Sequence, residues 1–206
     1  IAMEYVPGLT LQRWLEPRRD WRQVLDVLIQ AGRGLEAAHR AELVHRDFKP
    51  GNVMVAEDGR VRVLDFGLVC GMGESEDEEL TLSGSQPGTP TYMAPEQIEG
   101  GEVDHLSDQF AFCMVAFEAL YRVRPFGGGP LLARATRMMM GKITPRPSKS
   151  KVPRRVHEAI LRGLEVAPGR RWPNMSALLG ALEQDSKPAR LALRVGGGLL
   201  LCGLAA

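Results

Sequence analysis

The chain has 206 residues, 44% of them hydrophobic and 25% charged, and its formal net charge is +1. That length suits one domain with a substantial core, and the composition is that of a soluble globular protein. A nearly neutral chain is not expected to bind nucleic acid through a general positive field. Its three cysteines, Cys70, Cys113 and Cys202, are too widely spaced for a CxxC metal pair or a disulfide framework, so we expect free thiols in a reducing compartment.

The N-terminal segment predicts a strand followed by two helices. Residues 2–6 are a short apolar stretch, and residues 9–15 are expected to form a first helix. Asp20 is a good N-cap for a longer helix, whose apolar residues recur with a period close to 3.6 and which should end before Leu43. Because the chain begins at Ile1 in an apparent strand, with no signal peptide, we expect it to start inside a domain.

A β-hairpin and a loop are predicted next. Residues 52–56 and 61–64 are β-like runs, and Asp58-Gly59 stands at the centre of the turn between them. Residues 70–88 are rich in glycine, serine and acidic residues, which predicts an exposed, mobile loop.

The C-terminal half predicts mainly helical structure. Residues 110–120 are nearly all apolar, as in a helix that is buried on every side. Residues 156–164 and 175–182 predict two amphipathic helices, and a polar stretch over residues 184–190 precedes an apolar, glycine-rich one over residues 195–206. One hairpin in a mostly helical chain predicts the α+β class and by itself names no function.

Three short motifs lie among these elements. Residues 45–52 read His-Arg-Asp-Phe-Lys-Pro-Gly-Asn, residues 65–67 read Asp-Phe-Gly, and residues 88–96 begin Gly-Thr-Pro and end Ala-Pro-Glu. Their order and spacing match the H-R-D-x-x-x-x-N, D-F-G and A-P-E signatures of protein kinases. Residues 1–183 therefore resemble a bacterial eukaryotic-like serine/threonine protein kinase of the membrane-anchored type. The resemblance implies a protein-kinase-like fold, here a mainly helical C-lobe with a small catalytic hairpin and with the N-lobe absent.

The resemblance also implies transfer of the γ-phosphoryl group of ATP to a protein hydroxyl, with Mg²⁺ as a cofactor. Asp47 would accept the proton of the hydroxyl, and Lys49 would contact the γ-phosphate. Asn52 and Asp65 offer the oxygen ligands that Mg²⁺ prefers. Thr89 would hydrogen-bond near Asp47 and Lys49 and shape the substrate pocket. Taken singly, residues of these types are more often loop caps, turn formers or solvated charges.

The adenine of ATP is expected to bind near the N-terminus. Residues 3–6, Met-Glu-Tyr-Val, resemble the hinge between the two kinase lobes. In that resemblance the backbone of Glu4 and Val6 faces the adenine edge, Met3 lies at the back of the pocket, and Met54 forms part of its apolar floor. Met54 is equally compatible with an ordinary core position.

The same resemblance assigns structural roles to residues around the motifs. His45 and Phe66 are expected to be packing residues. Asp108 is expected to hydrogen-bond the backbone of the His-Arg turn, with a plain N-terminal helix cap as the alternative. Glu96 is expected to form a largely buried ion pair with Arg171.

Phosphorylation is expected in the loop between the second and third motifs. Residues 74–79 hold five acidic side chains in six positions, and the simplest interpretation is a solvated loop. Thr81, Ser83 and Ser85 follow as phosphorylation candidates, and Arg46 is the expected partner of such a phosphate. Autophosphorylation would bring two copies together as a homodimer.

The chain divides into three expected segments. Residues 1–183 would be the hinge and C-lobe of the kinase domain, residues 184–194 a juxtamembrane linker, and residues 195–206 the start of a transmembrane helix. The kinase domain would then be cytoplasmic and anchored in the cell membrane by a single-pass helix. The alternative for residues 195–206 is a helix packed on the domain or a disordered tail.

Three functions remain open at this point. The first is an active serine/threonine kinase with protein substrates, of which this chain would be a fragment that is inactive alone. The second is a pseudokinase that acts as a scaffold or signalling partner. The third, a small-molecule phosphotransferase, ranks last because such enzymes usually lack the Gly-Thr-Pro…Ala-Pro-Glu segment. The sequence upstream of Ile1 would discriminate, since it would show or lack a glycine-rich loop and a strand lysine.

Overall fold

A computed structural model describes residues 6–66 and 91–184 of the chain. The described strands are β1 (Gly8–Thr10), β2 (Val53–Ala56) and β3 (Val61–Val63). The described α-helices are α1 (Leu11–Trp14), α2 (Trp21–Arg40), α3 (Pro95–Ile98), α4 (His105–Tyr121), α5 (Leu131–Met139), α6 (Arg154–Gly163) and α7 (Met175–Glu183). Short 3-10 turns cover Pro50–Asn52 and Pro168–Arg170. This mainly helical arrangement around one small sheet confirms the predicted α+β class.

The three strands form one antiparallel sheet in the order β1-β2-β3. The hairpin of β2 and β3 lies within the two predicted β-like runs. The prediction of a helix over residues 9–15 was wrong at its start, because β1 pairs Leu9 with Val55 before the helix begins. The close pairing requires Gly8, since a Cβ there would lie 2.3 Å from the carbonyl oxygen of Val55. Thr10 then caps α1 by accepting a hydrogen bond from the backbone N–H of Arg13.

The long helix α2 begins and ends where its sequence predicts. The Asp20 side chain accepts a hydrogen bond of 2.9 Å from the backbone N–H of Arg22, as an N-cap does. The helix ends at Arg40, before Leu43, and buries its apolar face against α4 and α7. Gly32 allows the contact with α7, because a Cβ there would lie 2.6 Å from the Leu179 side chain.

Helix α4 is the central element of the core. Its N-cap is Asp104, whose carboxylate accepts a 2.7 Å hydrogen bond from the backbone N–H of Leu106. Phe110, Phe112 and Phe117 are fully buried along it, which confirms the prediction of a helix apolar on every side. The buried helix extends beyond the predicted residues 110–120 at both ends.

The remaining helices differ from expectation mainly in number. Helices α6 and α7 match the predicted amphipathic segments to within two residues at each end. Helices α3 and α5 were not predicted. Within the two described ranges no helix is long and apolar enough to cross a membrane. Residues 195–206, predicted to begin a transmembrane helix, lie outside those ranges.

Candidate active site

The loop between α2 and β2 holds a fixed carboxylate. The Lys49 ammonium lies 2.5 Å from Oδ2 of Asp47, and the Asn52 side-chain amide donates to that same oxygen at 3.2 Å. Asn52 also donates to the Asp47 backbone carbonyl at 2.9 Å, so the loop closes on itself. Both charged groups remain accessible to solvent, because the side chains of Asp47 and Lys49 are 44% and 38% exposed. The arrangement orients an accessible carboxylate beside a cation, which suits the binding of a hydroxyl group and an anion.

The hairpin brings Asn52 and Asp65 to the same end of the sheet. Asn52 ends the 3-10 turn that leads into β2, and its backbone carbonyl accepts a 2.8 Å hydrogen bond from Leu64, the residue before Asp65. The Asn52 amide nitrogen donates to Asp47, and among the described residues the amide oxygen is available as a ligand. Asp65 is exposed and has a left-handed backbone, with φ of 60°. Two hard oxygen donors fit Mg²⁺, which usually takes few protein ligands and completes its shell with water and phosphate oxygens.

His45 is a structural histidine, because both of its ring nitrogens are hydrogen-bonded within the protein. Its Nδ1 accepts the backbone N–H of Asp47 at 3.3 Å, so the proton is on Nε2, which donates to the Leu64 carbonyl at 2.9 Å. The ring is buried and packs 4.7 Å from the centroid of Phe66. His45 therefore joins the loop that carries Asp47 to the end of β3, with both ring nitrogens occupied.

Asp108 anchors the same loop from α4. It is 1% exposed, and its two oxygens accept the backbone N–H groups of His45 and Arg46 at 2.7 and 2.8 Å. The cap of α4 is Asp104, so the alternative of a plain helix cap does not describe Asp108. Arg46 has a φ of 68°, an uncommon conformation for a side-chain-bearing residue, and these bonds help to hold it.

His39 is a further residue of this anchor that the sequence did not reveal. Its Nε2 lies 2.8 Å from Oδ2 of Asp108, which gives the buried carboxylate a third donor. Because a carboxylate oxygen accepts, Nε2 of His39 is the donor in this contact. The residue lies in the last turn of α2, 69 positions from Asp108, and no local pattern marks it.

Glu96 and Arg171 form the predicted ion pair. Two parallel hydrogen bonds of 2.7 and 2.8 Å join the guanidinium to the two carboxylate oxygens, and Ser107 donates to Oε1 of Glu96 at 2.7 Å. The Arg171 side chain is fully buried and that of Glu96 is 12% exposed. Burial alone raises the pKa of Glu96, but the hydrogen bonds from Arg171 and Ser107 outweigh it and hold that pKa below its ordinary value.

The remaining predicted site residues divide between described and undescribed parts of the chain. Val6 and Met54 are half-buried, and Met54 pairs across the sheet with Thr10 on one side and Arg62 on the other. The predicted residues that lie outside the described ranges are Met3, Glu4, Thr81, Ser83, Ser85 and Thr89.

Comparison with known proteins gives the same family as the motifs. The protein kinase domain family matches residues 1–181. The serine/threonine-protein kinase PknA of Mycobacterium tuberculosis is 36% identical over 174 residues, which cover 84% of this chain and 39% of the relative. PknA of Corynebacterium glutamicum is 33% identical over 195 residues, covering 91% of this chain and 40% of the relative. The tyrosine-protein kinase MasK of Myxococcus xanthus is 35% identical over 198 residues, covering 89% of this chain and 30% of the relative.

The chain therefore spans less than half the length of each of these relatives. The match nevertheless covers nearly the whole chain, and it includes the loop of Asp47, the hairpin and the Glu96–Arg171 pair. The chain belongs to the protein kinase domain family.

Proposed function

We propose that this chain is the C-lobe part of a serine/threonine protein kinase that transfers the γ-phosphoryl group of ATP to hydroxyls of protein substrates. The observation that carries the proposal is the Asp47 carboxylate, held at 2.5 Å by Lys49 and at 3.2 Å by Asn52 while remaining partly open to solvent. Phosphoryl transfer depends mainly on positioning and on charge stabilisation, and this loop offers both.

The proposed roles follow from the contacts. Asp47 orients the substrate hydroxyl and accepts its proton, because its carboxylate is fixed and accessible. Lys49 binds the γ-phosphate, with its ammonium next to that hydroxyl. Asn52 and Asp65 would hold Mg²⁺, which when bound neutralises charge on the triphosphate. Thr89 would hydrogen-bond near Asp47 and Lys49 and shape the substrate pocket.

The adenine and regulatory sites are proposed from the family likeness. The backbone of Glu4 and Val6 with the side chains of Met3 and Met54 would form the adenine pocket. Phosphorylation of Thr81, Ser83 or Ser85 by a second copy, with Arg46 as the phosphate's partner, would regulate the kinase.

The proposal also covers the location of the full-length protein in the cell. The parent protein would carry the kinase domain on the cytoplasmic side and be anchored by a single-pass helix beginning within residues 195–206. Fractionation of the full-length protein into membrane and soluble phases tests the proposed anchoring. Recovery in the soluble phase would overturn the anchoring and leave the kinase proposal standing.

Transfer to peptides that differ only in the acceptor tests the kinase proposal. The full-length protein is incubated with radiolabelled ATP, Mg²⁺ and one peptide sequence that carries serine, threonine or tyrosine at the acceptor position. Transfer to serine and threonine, lost in the Asp47→Asn variant, is the expected result. Transfer to tyrosine alone would favour the activity named for MasK. Absence of transfer with intact ATP binding would favour the pseudokinase alternative.

A further inference from the structure

The segment between α5 and α6 concentrates positive charge in a chain that is nearly neutral overall. Residues 142–155 contain six basic side chains and no acidic one, although the net charge of the whole chain is only +1. Four of these side chains are exposed in the second half of the segment and form what we call the basic face: Lys149, Lys151, Arg154 and Arg155. Most charge runs are solvated surfaces, so the contacts and the position of this one decide whether it suits a partner.

Two buried valines orient the basic face towards solvent. Val152 and Val156 are 2% and 0% exposed and belong to the hydrophobic core, and the two arginines of the face stand between them at the start of α6. The loop before α6 is also held in place, because Arg146 donates to the backbone carbonyls of Ser150 and Val152. The basic side chains therefore project from a backbone that the core and these hydrogen bonds fix.

The charge of the basic face is only partly neutralised within the domain. Its two lysines have no ion-pair partner among the described residues. Glu158, the first acidic residue after the segment, lies 2.8 Å from Arg154, but an exposed i,i+4 pair of this kind is weak. Burial lowers the pKa of His157 on the same helix, and the charge of Arg146 lowers it further against the opposing effect of Glu158, which reflects a locally positive potential.

The basic face lies beside the point where the described part of the chain ends. Arg155 donates a 2.9 Å hydrogen bond to the side-chain oxygen of Gln184, the last described residue. Three further basic residues follow in the sequence: Lys187, Arg190 and Arg194. They precede the apolar stretch of residues 195–206. Residues 185–194 span at most about 33–36 Å when fully extended, so the apolar stretch begins within that distance of Gln184.

We propose that the basic face binds the anionic headgroups of a phospholipid membrane and so holds the kinase domain against the membrane surface. The cytoplasmic leaflet carries a negative surface potential that attracts clusters of Lys and Arg next to a membrane segment. A membrane fits better than nucleic acid, because the chain continues from this face into a basic and then an apolar stretch. The inference rests on the proposed membrane location, but not on kinase activity, and adds to it an orientation of the domain.

Acetylation of lysine amines measures whether the basic face meets a membrane. The full-length protein is combined with vesicles of phosphatidylcholine alone, or of phosphatidylcholine with about 30% anionic phosphatidylglycerol. It is treated briefly with acetic anhydride, and the modification of each lysine is measured by mass spectrometry. Lys49 serves as the internal reference, because it is partly exposed in the loop of Asp47, outside the basic face.

The expected result is slower acetylation of the face in anionic vesicles. Lys149 and Lys151 should react at least about five-fold more slowly there than in neutral vesicles, while the rate at Lys49 should not change. Raising the salt concentration should remove this protection, because exposed charges are screened over a shorter distance.

Charge-matched variants separate the basic face from the overall charge of the protein. Each basic residue near an anionic surface strengthens the association about five-fold, so Arg154→Gln with Arg155→Gln should remove most of the protection. The control, Arg40→Gln with Arg60→Gln, removes the same charge at the end of α2 and in the hairpin turn and should keep the protection. If the first variant does not fold, as judged by circular dichroism, Lys151→Gln is used and acetylation is read at Lys149.

The outcomes separate this inference from the proposals on which it builds. Equal acetylation in neutral and anionic vesicles, or protection in both that salt does not change, overturns the basic face and leaves the kinase and the anchor standing. A protein that fractionates as soluble but is protected by anionic vesicles keeps the basic face and loses the anchor. Protection by duplex RNA without protection by anionic vesicles overturns the membrane as the partner.

Discussion

Replacing Glu96 by glutamine should destabilise the protein far more than the loss of an exposed ion pair does. All five N–H groups of Arg171 are engaged, two with Glu96 and the others with the backbone carbonyls of Glu165, Leu106 and Val166. The variant would leave a fully buried guanidinium without its counter-charge. Breaking one partner of such a pair costs about 3–5 kcal/mol.

The lower part of that range is expected here, because three of the five hydrogen bonds of Arg171 go to backbone carbonyls and survive the substitution. For a domain of this size, about 3 kcal/mol corresponds to a fall in Tm of about 6–12 °C. The assay is thermal unfolding followed by circular dichroism. The matched control is Arg154→Gln, which breaks an i,i+4 pair with side chains 84% and 57% exposed and should cost at most about 0.5 kcal/mol.

The same pair predicts a dependence on pH. Glu96 has its pKa lowered in the folded protein, so its stabilising contribution is complete above the ordinary value of 4.5 and is lost as the pH falls through the lower folded value. The difference in stability between the wild type and Glu96→Gln should therefore be constant near neutrality and shrink below pH 4.5. A Glu96→Gln variant whose Tm at neutral pH equals that of the Arg154→Gln control would refute the reasoning.

Three further predictions concern activity. Asp47→Asn in the full-length protein should lower turnover by orders of magnitude while ATP affinity, measured by calorimetry, is retained; near-normal turnover would contradict the role of a base. Mass spectrometry of the active full-length protein should find phosphate on Thr81, Ser83 or Ser85, and modification confined to positions outside residues 65–96 would argue against it. The 206-residue chain alone should show no ATP turnover, because a triphosphate bound only from the C-lobe side is poorly positioned; activity abolished by Asp65→Ala would prove this wrong.

Local sequence was sufficient for the elements whose signals lie within a few residues. Asp20 marked the start of α2 because an N-cap bonds to a backbone N–H only two residues away. Asp58-Gly59 marked the hairpin because its turn is equally local. The motif that contains Asp47 and Asn52 named the family and the loop because its residues contact one another within five positions.

Only the tertiary structure decided the contacts that join distant parts of the chain. Residues 8–10 became a strand instead of the start of a helix because the edge of β2 offered backbone partners, and tertiary pairing overrides local propensity. His39 joined Asp108 because α2 packs on α4, and that packing brings together residues 69 positions apart. A sequence pattern reports the periodicity of one element, whereas such a site depends on which faces of several elements the core brings together.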